Sequence, residues 1–157
     1  MLFAALAVLA VLTAPGAIGV TVTDLTDGRV IVCQPMPGGG RMTLVYTHSM
    51  YGGEVWEVFV PRDDGRLVRV EMTTANAAAA EYYAYDSPVV REGNRYRVDL
   101  PPADYDEVVI RVDQVGRHRL LIGGETIDLL AVAGDGHRVE LAASRVGIFD
   151  ALLGRAC

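Results

Sequence analysis

The sequence predicts an all-β fold, an antiparallel β-sandwich or partly open barrel of about 8–10 short strands. An N-terminal hydrophobic segment precedes it and a short C-terminal helix closes it. Three observations carry this expectation. After Val20 nearly every segment alternates apolar and polar residues and is rich in Val, Ile, Thr and Tyr. Clusters of Gly, Asp and Pro split those segments at short intervals (TDG, PMPGGG, MYGG, DDG, DSPVVREGN, PPADYD, AGDG). The length of 157 residues, 51% of them apolar, suits one domain with a real core.

The N-terminal run MLFAALAVLAVLTAPGAIGV carries no charged side chain. Leu2 to Leu12 has the length of a signal-peptide core but lacks the basic residues that normally precede one. Read through to Val20, the run is 19 residues, just long enough to cross a bilayer, with Pro15 as a kink. Residues 1–19 are therefore read as a signal peptide or N-terminal membrane anchor, residues 20–143 as the β-domain and residues 144–157 as a C-terminal tail. The expected location is extracytoplasmic, either membrane-anchored or secreted.

Within the β-domain, strands are predicted at 20–25, 29–34, 41–49, 54–61, 66–73, 80–85, 95–100, 107–114, 117–123 and 137–142. The AAAA run at 77–80 has helical propensity but lies among strand-like residues. In the tail, Val146, Phe149 and Leu153 fall on one helical face, with Ser144 as a capping residue.

Composition excludes some functions. The net charge of −6 and the lack of a basic stripe argue against nucleic acid. All fourteen basic residues are Arg, which removes lysine nucleophiles and Schiff-base chemistry. No cofactor motif is present. Neither Cys33 nor Cys157 belongs to a C-x-x-C pair, so a cysteine-rich metal site is excluded. A disulfide between them is open outside the cytoplasm; two free thiols is the reading the sequence favours.

Register decides where polar residues point, because side chains alternate faces along a strand. In EVWEVFVPRDDGRLVRVEM, a three-residue Asp63-Asp64-Gly65 loop places Val60 opposite Val68, Val58 opposite Val70 and Trp56 opposite Met72. Glu57 then belongs to a solvated polar face beside Arg69 and Glu71. In the preceding strand Leu44, Tyr46, His48 and Met50 share one face and Ser49 takes the other. Adjacent Ser and His side chains in a strand diverge, which removes a serine nucleophile–base pair.

His118 is in phase with Leu120 and Ile122, and His137 with Val139 and Leu141. Three inward imidazoles, His48, His118 and His137, admit a zinc reading if they converge. Glu54, in phase with Trp56, is placed to reach His48 across the Gly52-Gly53 turn. Tyr82, Tyr83 and Tyr85 form an aromatic cluster that reads as ordinary strand residues with wet hydroxyls.

The run YTHSMYGGEVWEVFV, followed by a hairpin and later by GRHRLLIGGETIDL, resembles the DUF1850 family. Tyr46, Thr47, His48 and Ser49 match its first motif and Glu57 its acidic position. His118, Arg119, Leu120, Leu121, Gly123 and Gly124 match its late strand and turn. The likeness covers about residues 20 to 130. The chain departs from the family in three places. NAAAAEYYAYDSP replaces a Gly-Ala-Gly-Leu-Pro turn, Gly52-Gly53 stands for Thr-Pro, and Arg117 stands for Asn.

The resemblance implies a non-enzymatic extracytoplasmic accessory or binding domain. It would assist a TRAP/TAXI-type solute uptake system through the permease or its solute-binding protein. The binding or interface residues it singles out, together with the register reading, are Tyr46, His48, Ser49, Glu54, Glu57, His118 and Arg119. The alternative is a small extracytoplasmic metal-binding protein or enzyme that uses the inward histidines. No catalytic constellation is legible for it.

Overall fold

A computed structural model of the chain describes residues 17–36 and 40–146. Among these, twelve strands form two antiparallel sheets. The first sheet holds β1 (Ala17–Asp24), β2 (Arg29–Met36), β9 (Glu107–Arg111) and β12 (Arg138–Val146), in the order β2-β1-β12-β9. The second holds β3 (Met42–Thr47), β4 (Glu54–Pro61), β5 (Leu67–Thr74), β6 (Val89–Glu92), β7 (Arg95–Val98), β10 (Arg119–Ile122) and β11 (Glu125–Asp128). Its order is β11-β10-β3-β4-β5-β7-β6, and β8 (Ala103–Tyr105) pairs with β5. The expected all-β architecture is present as open sheets, with no closed barrel among the described residues.

The core lies between the sheets. Val20, Val22, Val139 and Leu141 of the first sheet meet Met42, Leu44, Phe59, Leu120 and Ile122 of the second. Each fully buried aliphatic or aromatic side chain contributes about 1.5–3 kcal/mol. A short helix, α2 (Leu129–Ala133), adds Leu129 and Ala133 to the same cluster.

Several expectations change. The strand expected at 80–85 is instead a helix, α1 (Ala77–Ala84). Its cause is local: the Asn76 side chain caps the helix by accepting from the Ala78 and Ala79 amides, and the alanine run follows. Ala80 and Ala84 pack against Val98 in a satellite core. The segments 89–92 and 103–105, expected as turns, are strands.

The tail also differs. Ser144 does not cap a helix: β12 continues through Val146, and Ser144 pairs with Gly19. The remaining tail residues, Phe149 and Leu153 included, lie outside the described residues. At the other end β1 starts at Ala17, inside the segment assigned to the leader, and the leader itself lies outside the described residues. No helix among the described residues is long and apolar enough to cross a membrane. Cys33 is disulfide-bonded, against the expectation of a free thiol. Cys157 lies outside the described residues.

The β4–β5 hairpin is right at its tip and wrong further down. Val60 pairs with Val68 as expected, and Gly65 takes a positive φ of 86° in the turn. Phe59 still pairs with Arg69, but the next pair is Val58 with Glu71. Val70 is therefore the extra residue of a bulge, and it is partly exposed. The bulge turns Met72 to the face of Glu57.

Candidate functional site

Pairing within the second sheet shows which face is dry. Leu44 is opposite Glu57, Met42 opposite Phe59 and Tyr46 opposite Val55. Leu44, Met42, Phe59 and Val55 are all buried, so this face points to the core. Trp56 and Val58 take the outer face, where Arg95 stacks over Trp56 at 3.8 Å.

Glu57 thus stands on the core face, not on a solvated one. Both faces of β4 carry apolar residues, so alternation alone does not decide between them. Of the two neighbours expected for Glu57, Arg69 is beside it, whereas Glu71 pairs with Val58 on the outer face. Arg69 Nη1 lies 3.2 Å from Glu57 Oε1, with the two side chains only 17% and 13% exposed. Burial pushes the Glu57 carboxyl up, and Arg69 opposes that shift.

Tyr46 links this pair to the surface. Its hydroxyl lies 2.9 Å from the Tyr83 hydroxyl on α1 and feels the Glu57 carboxylate. Burial first, and the Glu57 charge second, hold Tyr46 above the ordinary phenol range. Tyr83 is raised by burial as well. A line of interacting side chains therefore runs Arg69–Glu57–Tyr46–Tyr83.

The chain ends in a cleft of about 300 Å³ lined by Tyr46, His48, Tyr82, Tyr83, Arg111 and His118, with Asp113 and Gly116 beside them. That volume is at the small end of the range of roughly 300–1,000 Å³ for ligand pockets. The His118 ring stacks on Tyr46 with centroids 5.5 Å apart. The His48 ring meets Tyr82 and Tyr83 edge-on at 5.2 and 5.4 Å. The structure thus brings together Tyr46, His48 and His118, which sequence phase had placed inward.

In both imidazoles Nδ1 is withheld from the cleft. His48 Nδ1 accepts from the amides of Met50 and Tyr51, each at 3.2 Å. That places its proton on Nε2. The same bonds fold the 48–53 loop, and Asn76 staples it to α1 by donating to the Tyr51 carbonyl at 2.8 Å. His118 Nδ1 is buried without a partner. The ring lies so close to Gly116 that a Cβ there would sit 2.7 Å from Nδ1 and 2.3 Å from Cε1. A proton on Nε2 avoids a buried N–H with no acceptor. Burial also holds His118 below the ordinary imidazole range, with Asp113 opposing.

Ser49 is exposed in the turn after β3 and lines the same cleft as His48, while the His48 Nδ1 is occupied by the Met50 and Tyr51 amides. Glu54 does not reach His48. It pairs with Arg119 on the outer face, where Glu54 is opposite Thr47 and Arg119 opposite Val45. Together with Arg117, Asp128 and Leu130 they line a separate hollow of about 480 Å³.

His137 is not part of the cleft lining. It belongs to the only set of metal-capable side chains, among the described residues, whose donor atoms lie within 4.8 Å of one another: Asp24, Asp27 and His137. Here the donors are taken up internally. Asp24 Oδ1 accepts from the Thr26 and Asp27 amides, and Asp24 Oδ2 lies 2.9 Å from His137 Nδ1. That hydrogen bond lowers Asp24 and raises His137. The three histidines therefore do not converge, and a zinc ligand at His48 Nε2 would force a proton onto Nδ1 against two amide N–H groups.

Sequence reading missed Tyr82, Tyr83, Arg111 and Asp113 as site residues. The helix start at Asn76 before an alanine run was the available signal for the tyrosines. Nothing local marks Arg111, which the β9–β12 pairing delivers.

Residues 42–129, more than half of the chain, match the model of a family described as a domain of unknown function, DUF1850. No curated protein and no solved structure matches the chain.

Proposed function

The chain belongs to the DUF1850 family, and from that premise we propose that it is a non-enzymatic extracytoplasmic binding domain that assists a TRAP/TAXI-type solute uptake system. Its working site is the cleft between β3, α1 and the 112–118 segment. The observation that carries this reading is the convergence of His48 and His118 with Tyr82 and Tyr83 around one open cavity. Each imidazole has its Nδ1 kept from the cleft, and Ser49, exposed in the cleft lining, is hydrogen-bonded to neither ring among the described residues. Such a site recognises; it has no activated nucleophile.

The disulfide at Cys33 supports an oxidising compartment. The uncharged N-terminal run supports export or anchoring. The uptake partner follows from the family resemblance.

The test is a pull-down of the tagged full-length protein from native membranes, paired with an uptake assay in cells. The expected result is co-recovery of a TRAP/TAXI permease subunit or its solute receptor. Loss of uptake by a folded Tyr83→Ala variant is expected alongside it. Recovery of no transporter component refutes the proposal.

A further inference from the structure

The cleft can be read by its hydrogen-bonding inventory. Neither Nδ1 is available to a ligand: that of His48 accepts from two amides, and that of His118 is buried against Gly116 with no hydrogen bond. Among the described residues Nε2 of neither ring has a hydrogen-bond partner or counts as buried, which leaves it as the nitrogen each ring can offer to the cleft that both line. Arg111 adds a guanidinium with donors only. Three donor groups therefore face one cavity.

The Thr47, Ser49 and Tyr82 hydroxyls in the lining can donate or accept and so serve either kind of ligand group. The Tyr46 and Tyr83 hydroxyls bond each other. Asp113 is the one acid in the lining, and its Oδ1 accepts from the Val115 and Gly116 amides at 3.0 and 2.7 Å. It belongs to the turn that presents Gly116 to the His118 ring. Its charge also offsets Arg111, so the cavity has no surplus positive charge for a dianion. Directed donors and not net charge do the selecting. The lining also exposes apolar surface, with Met50 69% and Tyr82 50% exposed beside the exposed Ser49 and Arg111.

We propose that the cleft binds a small organic monocarboxylate with a flat apolar body. The Nε2–H groups of His48 and His118 and the Arg111 guanidinium take the carboxylate, while Met50, Tyr82 and Tyr83 hold the body. This inference rests on the cleft being the binding site and names the chemistry of its ligand. Charge-assisted hydrogen bonds are the strong class, and a directed donor lost to such a group weakens binding by about 10- to 100-fold.

The experiment is calorimetric titration of the purified full-length protein with benzoate, phenylacetate, benzylamine, benzyl alcohol and inorganic phosphate. Amide shifts at Gly116 and His118, followed by NMR, locate the site. The expected result is one site for benzoate or phenylacetate, at least about tenfold tighter than for the amine, the alcohol or phosphate. His118→Phe keeps the stack on Tyr46 and removes the donor; Arg111→Gln acts at an exposed position that leaves the fold alone. Each variant is expected to lose about 10- to 100-fold in benzoate affinity.

The inference is overturned if neither carboxylate binds the folded protein, if the amine, alcohol or phosphate binds as tightly, or if Arg111→Gln leaves the affinity unchanged. Such a failure leaves the uptake reading standing on its pull-down. An empty pull-down, in turn, leaves the titration result intact.

Discussion

Replacing Arg69 with Met isolates the buried charge at the heart of the second sheet. Arg69 Nη1 sits 3.2 Å from Glu57 Oε1, and both side chains are more than four-fifths covered. Removing one partner of a buried pair costs about 3–5 kcal/mol, because the remaining charge has neither water nor counter-ion. The residual exposure of both side chains places the expected loss near the lower limit, about 3 kcal/mol at pH 7.

The pH dependence fixes the cause. The folded carboxyl of Glu57 is raised above its ordinary value of 4.5 by burial. Its contribution is therefore most favourable below that value and is lost as pH rises through the folded one. Without Arg69 the folded value climbs further. Each pH unit of acidification then returns up to about 1.4 kcal/mol. The loss should shrink towards about 1 kcal/mol at pH 5. Chemical denaturation of wild type and Arg69→Met at both pH values measures this. The double variant Glu57→Leu/Arg69→Met should lie within about 1 kcal/mol of wild type or above it. A loss under about 1 kcal/mol at pH 7, as for an exposed pair, or an equal loss at both pH values, refutes the buried-charge reasoning.

Two further outcomes are expected. The His137–Asp24 bond should give a stability plateau between the ordinary values of 3.8 and 6.5, because Asp24 is lowered and His137 raised. Below it, stability falls as Asp24 takes a proton in the fold; above it, stability falls as His137 loses one. Melting temperature from pH 3 to 9 should show both edges in wild type, and Asp24→Asn should flatten them; an unchanged profile would sink the assignment. Gly116→Ala places a Cβ 2.3 Å from His118 Cε1. It should cost about 1–3 kcal/mol and displace the ring from Tyr46. Thermal melts and the His118 ring-proton shifts report both effects, and unperturbed shifts in a folded variant would contradict the contact.

Much of the site was legible one strand at a time. The common phase of His118 with Leu120 and Ile122 follows from the pleat and agrees with the stack of His118 on Tyr46, whereas His48 and Ser49 lie past the end of β3, in a loop where pleat parity does not apply, and both line the cleft. The Asp63–Gly65 turn with its Val60–Val68 pair holds in the structure. The face of Glu57 was not legible, because Val55 and Phe59 on one side of β4 rival Trp56, Val58 and Val60 on the other. Nor was the Glu54–Arg119 pair, which joins β4 to β10 across β3. Tyr82 and Tyr83 were read as strand because aromatic residues favour strands; the Asn76 cap and the packing of Ala80 and Ala84 on Val98 prevail.

By itself, then, the sequence determined the period of two, the places where the chain turns, and which neighbours along a strand must part. These are properties of a few consecutive residues and of the pleated backbone. Only the tertiary structure decided which side of each strand is dry, and that His118, Tyr83 and Arg111 meet His48 around one cavity. Dryness depends on which sheet lies behind a strand, and that sheet is built from residues far away in the chain. A single inserted residue such as Val70 is enough to change which side chains share a face.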